Sequence, residues 1–153
     1  MTDAKIILHN IRSSLNVGSI FRTADGAGVS SIYLTGYSPT PIDRFGRNEG
    51  TIAKTALGAE YSIPWEQGDI VKVISVLKND GYNIVGVEQT SDSKDYKDFK
   101  PKSKVVFIFG NEVSGLESKV LELCDDVIEI PMYGEKESLN VSVTAGIILF
   151  NYA

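Results

Sequence analysis

Residues 5–36 read KIILHNIRSSLNVGSIFRTADGAGVSSIYLTG. Lys5–Asn10 and Ser30–Gly36 are short apolar runs of strand length. The stretch between them, Asn16–Gly28, has helical length; Asn16 is placed to cap its start, and Gly26 or Gly28 its stop. A strand, a helix and a second strand in this order make a crossover between parallel strands.

The same alternation continues to the C-terminus. Tyr37–Gly50 holds two prolines and two glycines without periodicity and reads as a loop; loops of about 12 or more residues in compact domains usually carry function. Thr51–Glu60 reads as a short helix. Ile70, Val73, Ile74 and Leu77 stand at helical spacing before Gly81. Tyr82–Gln89 is a strand, residues 90–104 a polar connection, and Val105–Gly110 a buried strand. Ser114 and Glu117 match a capping box opening a helix over 115–125. Asp126–Met132 is the next strand and residues 133–137 a loop. A final helix follows, and Val141, Val143, Ala145, Ile147, Ile148 and Leu149 leave it little polar face. Strands that are β-branched and apolar along their length suit a parallel sheet covered on both faces. The expected fold is therefore α/β, a mostly parallel sheet with helices on both faces, in one domain over residues 1–153.

Of the 153 residues, 42% are apolar and 23% charged, ordinary values for a globular chain long enough to bury a core. No stretch reaches the ~18 uninterrupted apolar residues of a membrane span. The first ten residues lack the long apolar core of a secretory leader, and Cys124 is the single cysteine, so a cytoplasmic location is expected. The net charge of −5 conceals a split: residues 1–57 carry +2 and the remainder −7, with all four arginines (Arg12, Arg22, Arg44, Arg47) in the first third. Such a split fits a local phosphate-facing patch on an acidic body, since the planar guanidinium suits phosphate.

Several chemistries fail. GAGVSS lacks the third glycine of a dinucleotide fingerprint and precedes a strand instead of following one. No P-loop pattern exists. One histidine, His9, and one cysteine are too few for a His/Cys zinc site, and no other metal site is evident. His9 reads as a buried strand-end residue. Cys124 reads as core, on a helix face with Leu116, Val120 and Leu123. What remains is Arg, Asn, Ser and Glu at four strand ends: HNIRSSLN (9–16), GVEQT (86–90), FGNEVSG (109–115) and IPMYGEKESLN (130–140). Ligands of open parallel sheets bind at such ends.

NVGSIFRTADGAGV (16–29), IFGNEVSGL (108–116) and IPMYGEKESLNVSVTAG (130–146) resemble, in order, the three motifs of the SpoU, or TrmH, branch of the SPOUT RNA methyltransferases. The resemblance spans about Ile6–Tyr152. It implies a homodimer that moves a methyl group from S-adenosylmethionine to a ribose 2′-hydroxyl of RNA, tRNA favoured over rRNA, with no DNA or membrane partner. It also implies a C-terminal deep trefoil knot, a topology otherwise almost absent from proteins. The last helix would then be buried by threading and by the second subunit, and Ser142, Thr144, Ala145 and Gly146 would permit close approach. Without the resemblance it would be a plain core helix capped by Ser138.

By the same resemblance, Arg22 grips phosphate and polarises the hydroxyl, Asn16 holds substrate or orients Arg22, and Glu112 fixes the catalytic loop. Ser138 and Asn140 complete the transfer site. Gly110, Ile130 and Leu139 would hold adenine, Met132 would line its slot, and Val87, Glu88 and Gln89 would wall the methionine side. Arg12, Arg44, Arg47 and Lys54 would grip RNA, because the first motif begins almost at once and the chain resembles members without a separate RNA-binding extension. Rival expectations are a non-catalytic RNA-binding protein on the same scaffold, a methyltransferase acting on an RNA base, and a nucleotide-binding α/β protein.

Overall fold

Residues 2–152 are described by the structure, a computed structural model. Strand β1 (Asp3–His9) leads through helix α1 (Ser14–Gly26) to β2 (Ser31–Thr35). Helix α2 (Gly50–Ala56), the single turn α3 (Ala59–Ser62) and β3 (Trp65–Gly68) follow, then α4 (Ile70–Asn79) and β4 (Asn83–Val87). The chain ends with β5 (Lys94–Asp95), β6 (Lys104–Phe109), α5 (Ser118–Leu123), β7 (Asp126–Glu129) and α6 (Val141–Tyr152). One sheet results, in the order β3-β2-β1-β6-β4-β7-β5, and every strand pairing within it is parallel.

Alternate residues of each strand face opposite layers. Ala4, Ile6 and Leu8 of β1, with Val105, Phe107 and Phe109 of β6, meet α1, α2, α3 and α6 on one side. Ile7, Val106 and Ile108 meet α4 and α5 on the other. Covering both faces is why these strands are apolar along their length.

The structure departs from the expected elements in several places. The cap of α1 is Ser13, whose Oγ accepts the Asn16 N–H at 3.2 Å, so the Asn16 side chain is free for other work. The expected helix over 51–60 breaks at Leu57 and Gly58, both left-handed, into α2 and α3. Strand β3 lies in a segment with no apolar alternation and forms by backbone pairing to β2. The two-residue β5 lies inside the polar connection. No capping box forms: Glu117 precedes α5 without a side-chain cap bond and turns to His9, while the Ser114 N–H goes to Asn111. Cys124 sits just past that helix, and burial pushes its thiol up to about 11, which suits core and not a nucleophile. Asn140, not Ser138, caps α6, its Oδ1 accepting the Ser142 N–H at 2.8 Å.

Helix α6 buries Val141, Ala145, Ile148 and Leu149 against α1 and the sheet, and the Tyr152 ring stacks on Phe107 with centroids 5.6 Å apart. Its other side is not covered within the chain: Val143 is 49% and Phe150 64% exposed. Within the single chain, burial of α6 is therefore one-sided.

Helices α1 and α2 approach closely at Gly18, where a Cβ would strike Thr55 Oγ1 and lie 2.5 Å from the Ile52 carbonyl oxygen. The same Thr55 hydroxyl donates to the Leu15 carbonyl at 3.0 Å, locking the pair. Gly18→Ala must push the helices apart, and the expected loss is about 1–3 kcal/mol despite the better helix propensity of alanine. Urea denaturation of the variant checks this; an unchanged midpoint would show that the helices yield freely.

Candidate active site

Strands β6, β4 and β7 end side by side, and the loops leaving them enclose a pocket of about 290 Å³. Val87, Glu88 and Gln89 line it from β4, and Gly110, Asn111, Glu112, Val113 and Gly115 from β6. Glu129, Ile130 and Met132 come from β7, and Glu137, Ser138 and Leu139 from the last loop. All seven positions expected to face a cofactor thus lie on one wall system, together with Glu112 and Ser138. The lining includes four carboxylates (Glu88, Glu112, Glu129, Glu137) and no Lys, Arg or His. Such a field favours a cationic guest with apolar parts and opposes a polyphosphate.

Glu88 does more than line the wall. Its Oε2 accepts the Leu116 N–H and its Oε1 the Gln89 N–H, each at 2.9 Å, clamping the loop after β6. Gly115 permits this: its φ is +66°, and a Cβ there would collide with the Glu88 carboxylate. From the other side, Asn111 Oδ1 accepts the N–H groups of Val113 and Ser114, and its Nδ2 donates to the Asn10 carbonyl and to Tyr37 Oη. Sequence reasoning missed Asn111 and Tyr37; the available signal was an Asn opening a turn inside the second motif. His9, 4% exposed as expected of a buried strand end, sits between Thr35 Oγ1 (2.8 Å) and Glu117 Oε1 (3.0 Å) beneath the same loop.

At the pocket rim, Glu112 joins the first and second motifs. Its oxygens accept the N–H groups of Arg12 and Ser13 at 3.0 Å and the Asn16 amide at 3.3 Å. Asn140 Nδ2 donates to Asn16 Oδ1 at 3.4 Å, adding the third motif. Burial of Glu112 opposes its ionisation, but the N–H groups of Arg12 and Ser13 and the Asn16 amide prevail and hold its carboxyl below the ordinary range.

Arg22 is not in this cluster. It is exposed, lines a separate depression with Ser19, Thr23, Lys54 and Leu57, and forms no ion pair among the described residues. The expected orientation of Arg22 by Asn16 is not formed, because the six-residue offset carries Arg22 about 9 Å along α1 and Asn16 is engaged by Glu112 and Asn140. The expected basic patch likewise divides. Arg22 and Lys54 share one depression, Arg44 and Arg47 lie on the 37–50 loop, and Arg12 is exposed beside the Glu112 contact.

A fully parallel sheet with an acidic, partly apolar pocket over adjoining strand ends defines an α/β protein with a small-molecule site at the carboxyl edge. Comparison with known proteins then gives the family. The pattern of the SpoU rRNA Methylase family matches residues 3–150, and the chain belongs to that family. It is 33% identical, over 94% of its length, to the 23S rRNA (guanosine-2′-O-)-methyltransferase RlmB of Neisseria meningitidis, of which it spans 55%. Among solved structures it resembles an AdoMet-bound rRNA methyltransferase from Sinorhizobium meliloti, with a TM-score of 0.88 and 28% identity, over 97% of this chain and 54% of that one. A TrmH/SpoU tRNA modifying enzyme from A. aeolicus gives 0.82 and 29%, over 98% and 73%. The chain thus spans about half the length of the first two.

The lowered Glu112 carboxyl fixes the sign of a pH effect. Its stabilisation is fully present above the ordinary glutamate value of ~4.3 and is lost as pH falls through the lower folded-state value. The difference in urea midpoint between the native protein and Glu112→Gln should therefore hold level from neutral pH down to about 5 and shrink as pH falls below ~4.3. A constant difference would show that ionisation of Glu112 contributes nothing.

Proposed function

We propose that this chain is an S-adenosylmethionine-dependent methyltransferase acting on a ribose 2′-hydroxyl of RNA, with tRNA favoured over rRNA, as a cytoplasmic homodimer built on a single domain. The observation that carries the reading is the acidic pocket at the ends of β6, β4 and β7, joined at its rim by Glu112, Asn16 and Asn140. The 2′-O activity of the Neisseria relative and the bound AdoMet of the Sinorhizobium structure support it. The tRNA preference draws on the A. aeolicus enzyme.

The pocket suits this cofactor. Ile130, Met132 and Leu139 offer an apolar slot for adenine beside the backbone of Gly110, and the surrounding carboxylates favour a sulfonium. Bound there, S-adenosylmethionine would supply an electrophilic methyl group for in-line attack. The protein's part is to aim the hydroxyl, since positioning alone supplies a large share of such rate gains. Glu112 is a poor base for the hydroxyl proton: its oxygens already accept three N–H groups, and its basicity is reduced. Its role is to fix the start of α1 against the loop after β6. Asn140 holds Asn16 at the rim, with Ser138 on the pocket wall nearby. Arg22 opens onto a different depression of its own chain, so its grip on substrate phosphate is assigned to the pocket of the second subunit. The uncovered Val143 and Phe150 of α6 give that subunit an apolar seat. We infer the C-terminal knot on the same grounds of family and of α6 packing beside α1, with its leading loop on the pocket wall.

Incubation with labelled S-adenosylmethionine and bulk RNA, followed by nuclease digestion and mass analysis, tests the reading. Label on ribose is expected. Label on a base, or RNA binding without transfer, would replace it with one of its rivals. Saturable binding of ATP or NAD but not of S-adenosylhomocysteine would end the methyltransferase case. Arg22→Ala should abolish transfer and leave calorimetric binding of the cofactor intact, whereas normal turnover would remove Arg22 from the mechanism.

A further inference from the structure

The 37–50 loop carries an organised hairpin tip. Ile42 and Asn48 form an antiparallel bridge. Asp43 Oδ1 accepts the N–H groups of Phe45 (2.8 Å) and Arg47 (3.0 Å), and Oδ2 accepts Arg47 Nε at 3.0 Å. The Asp43 N–H donates to the Arg47 carbonyl at 2.8 Å, closing the turn. At its tip the Phe45 ring is 66% exposed, with the guanidinium carbons of Arg44 and Arg47 at 4.8 and 4.9 Å from its centroid.

Within the chain this arrangement gains little. The ring buries only a third of its surface, yet the turn presents it with two guanidinium groups within 5 Å of its centroid. We propose that Phe45, with the guanidiniums of Arg44 and Arg47, is a stacking site for an unpaired nucleotide of the RNA substrate. The inference rests on the RNA methyltransferase reading and extends it to the form of RNA recognised.

The chemistry and the surroundings of the ring carry it. Aromatic and guanidinium planes are the surfaces on which proteins stack single-stranded bases, while the bases of an A-form duplex are already stacked on each other. The two arginines add attraction for the flanking phosphates on a body that is otherwise acidic. The loop is also tied to the pocket, since Tyr37 Oη accepts from the pocket-lining Asn111 at 2.8 Å and Ser38 Oγ accepts the Ile11 N–H at 2.9 Å. A depression of about 340 Å³ beside the ring, with Thr40 and Gln67 in its lining, offers polar partners for a base edge. Phe45 is flanked in the turn by Arg44, Gly46 and Arg47, with Ile42 the other exposed apolar side chain at the bridge, and this cationic setting suits a nucleobase better than an apolar protein surface.

Fluorescence anisotropy at fixed salt would compare the full chain with Phe45→Ala, Phe45→Leu and Phe45→Trp, on a labelled RNA hairpin with an unpaired loop and on a blunt duplex of equal length. The alanine and leucine variants should bind the hairpin roughly 5- to 150-fold more weakly, the range measured for loss of one stacked base, with duplex binding unchanged and the tryptophan variant near native. Native hairpin affinity in Phe45→Ala or Phe45→Leu, equal losses on hairpin and duplex, or no RNA binding by the native protein would overturn the proposal. Calorimetry of S-adenosylmethionine on the same samples should be identical throughout. Loss of cofactor binding in the native protein would count against the pocket reading, whereas the stacking site is decided by the RNA titrations.

Discussion

The Glu112 carboxylate sits where three distant parts of the chain must meet. It accepts N–H groups from Arg12 and Ser13, 99 and more residues away in sequence, and from the Asn16 amide that also contacts Asn140. Hydrogen bonds to a charged group are each worth about 1.5–3 kcal/mol net, and their larger cost is borne when one partner is removed. The loop after β6, the start of α1 and the cap of α6 are therefore registered by one anion. If that anion moved, the pocket wall and its rim would separate.

The pocket follows from the order of the sheet. Strand β6 enters late in the chain and fills the gap between β1 and β4, and β7 later fills the gap between β4 and β5. Their outgoing loops consequently converge over neighbouring strand ends instead of spreading along the sheet. Glu88 and Asn111 then brace the β6 loop from opposite sides, with Gly115 admitting the carboxylate. Carboxylates gather inside the pocket, whereas the arginines lie outside it in separate groups. That division agrees with the uneven charge along the sequence.

Much of the fold was legible because parallel strands covered on both faces lose the polar alternation of a half-exposed strand, and the central runs Ile6–Leu8, Ile84–Val87 and Val105–Phe109 are unbroken by polar residues. The amphipathic α4, with Asp69 at its cap and Gly81 past its end, was equally plain. Strand β3 was not, because WEQG has a single apolar residue, Trp65, and no alternation, and it is recruited by backbone pairing to β2 and by packing of Trp65 on the core. The capping box at Ser114 and Glu117 misled because a local turn at Asn111 takes the Ser114 N–H and a distant partner, His9, takes the Glu117 carboxylate, together outcompeting a cap worth about 1 kcal/mol.

The sequence by itself determined the layered α/β plan, the buried His9 and half-buried Cys124, and the clustering of Gly110, Ile130, Leu139 and their companions at strand ends. Hydrophobic period and motif order are local properties, and they survive in one dimension. Only the tertiary structure decided that Asn16 serves Glu112 and Asn140 instead of Arg22, that Arg22 faces another depression, and that two guanidiniums gather at the Phe45 ring. Those facts depend on rotation along a helix and on side chains brought together from distant segments, quantities that spacing along the chain does not contain.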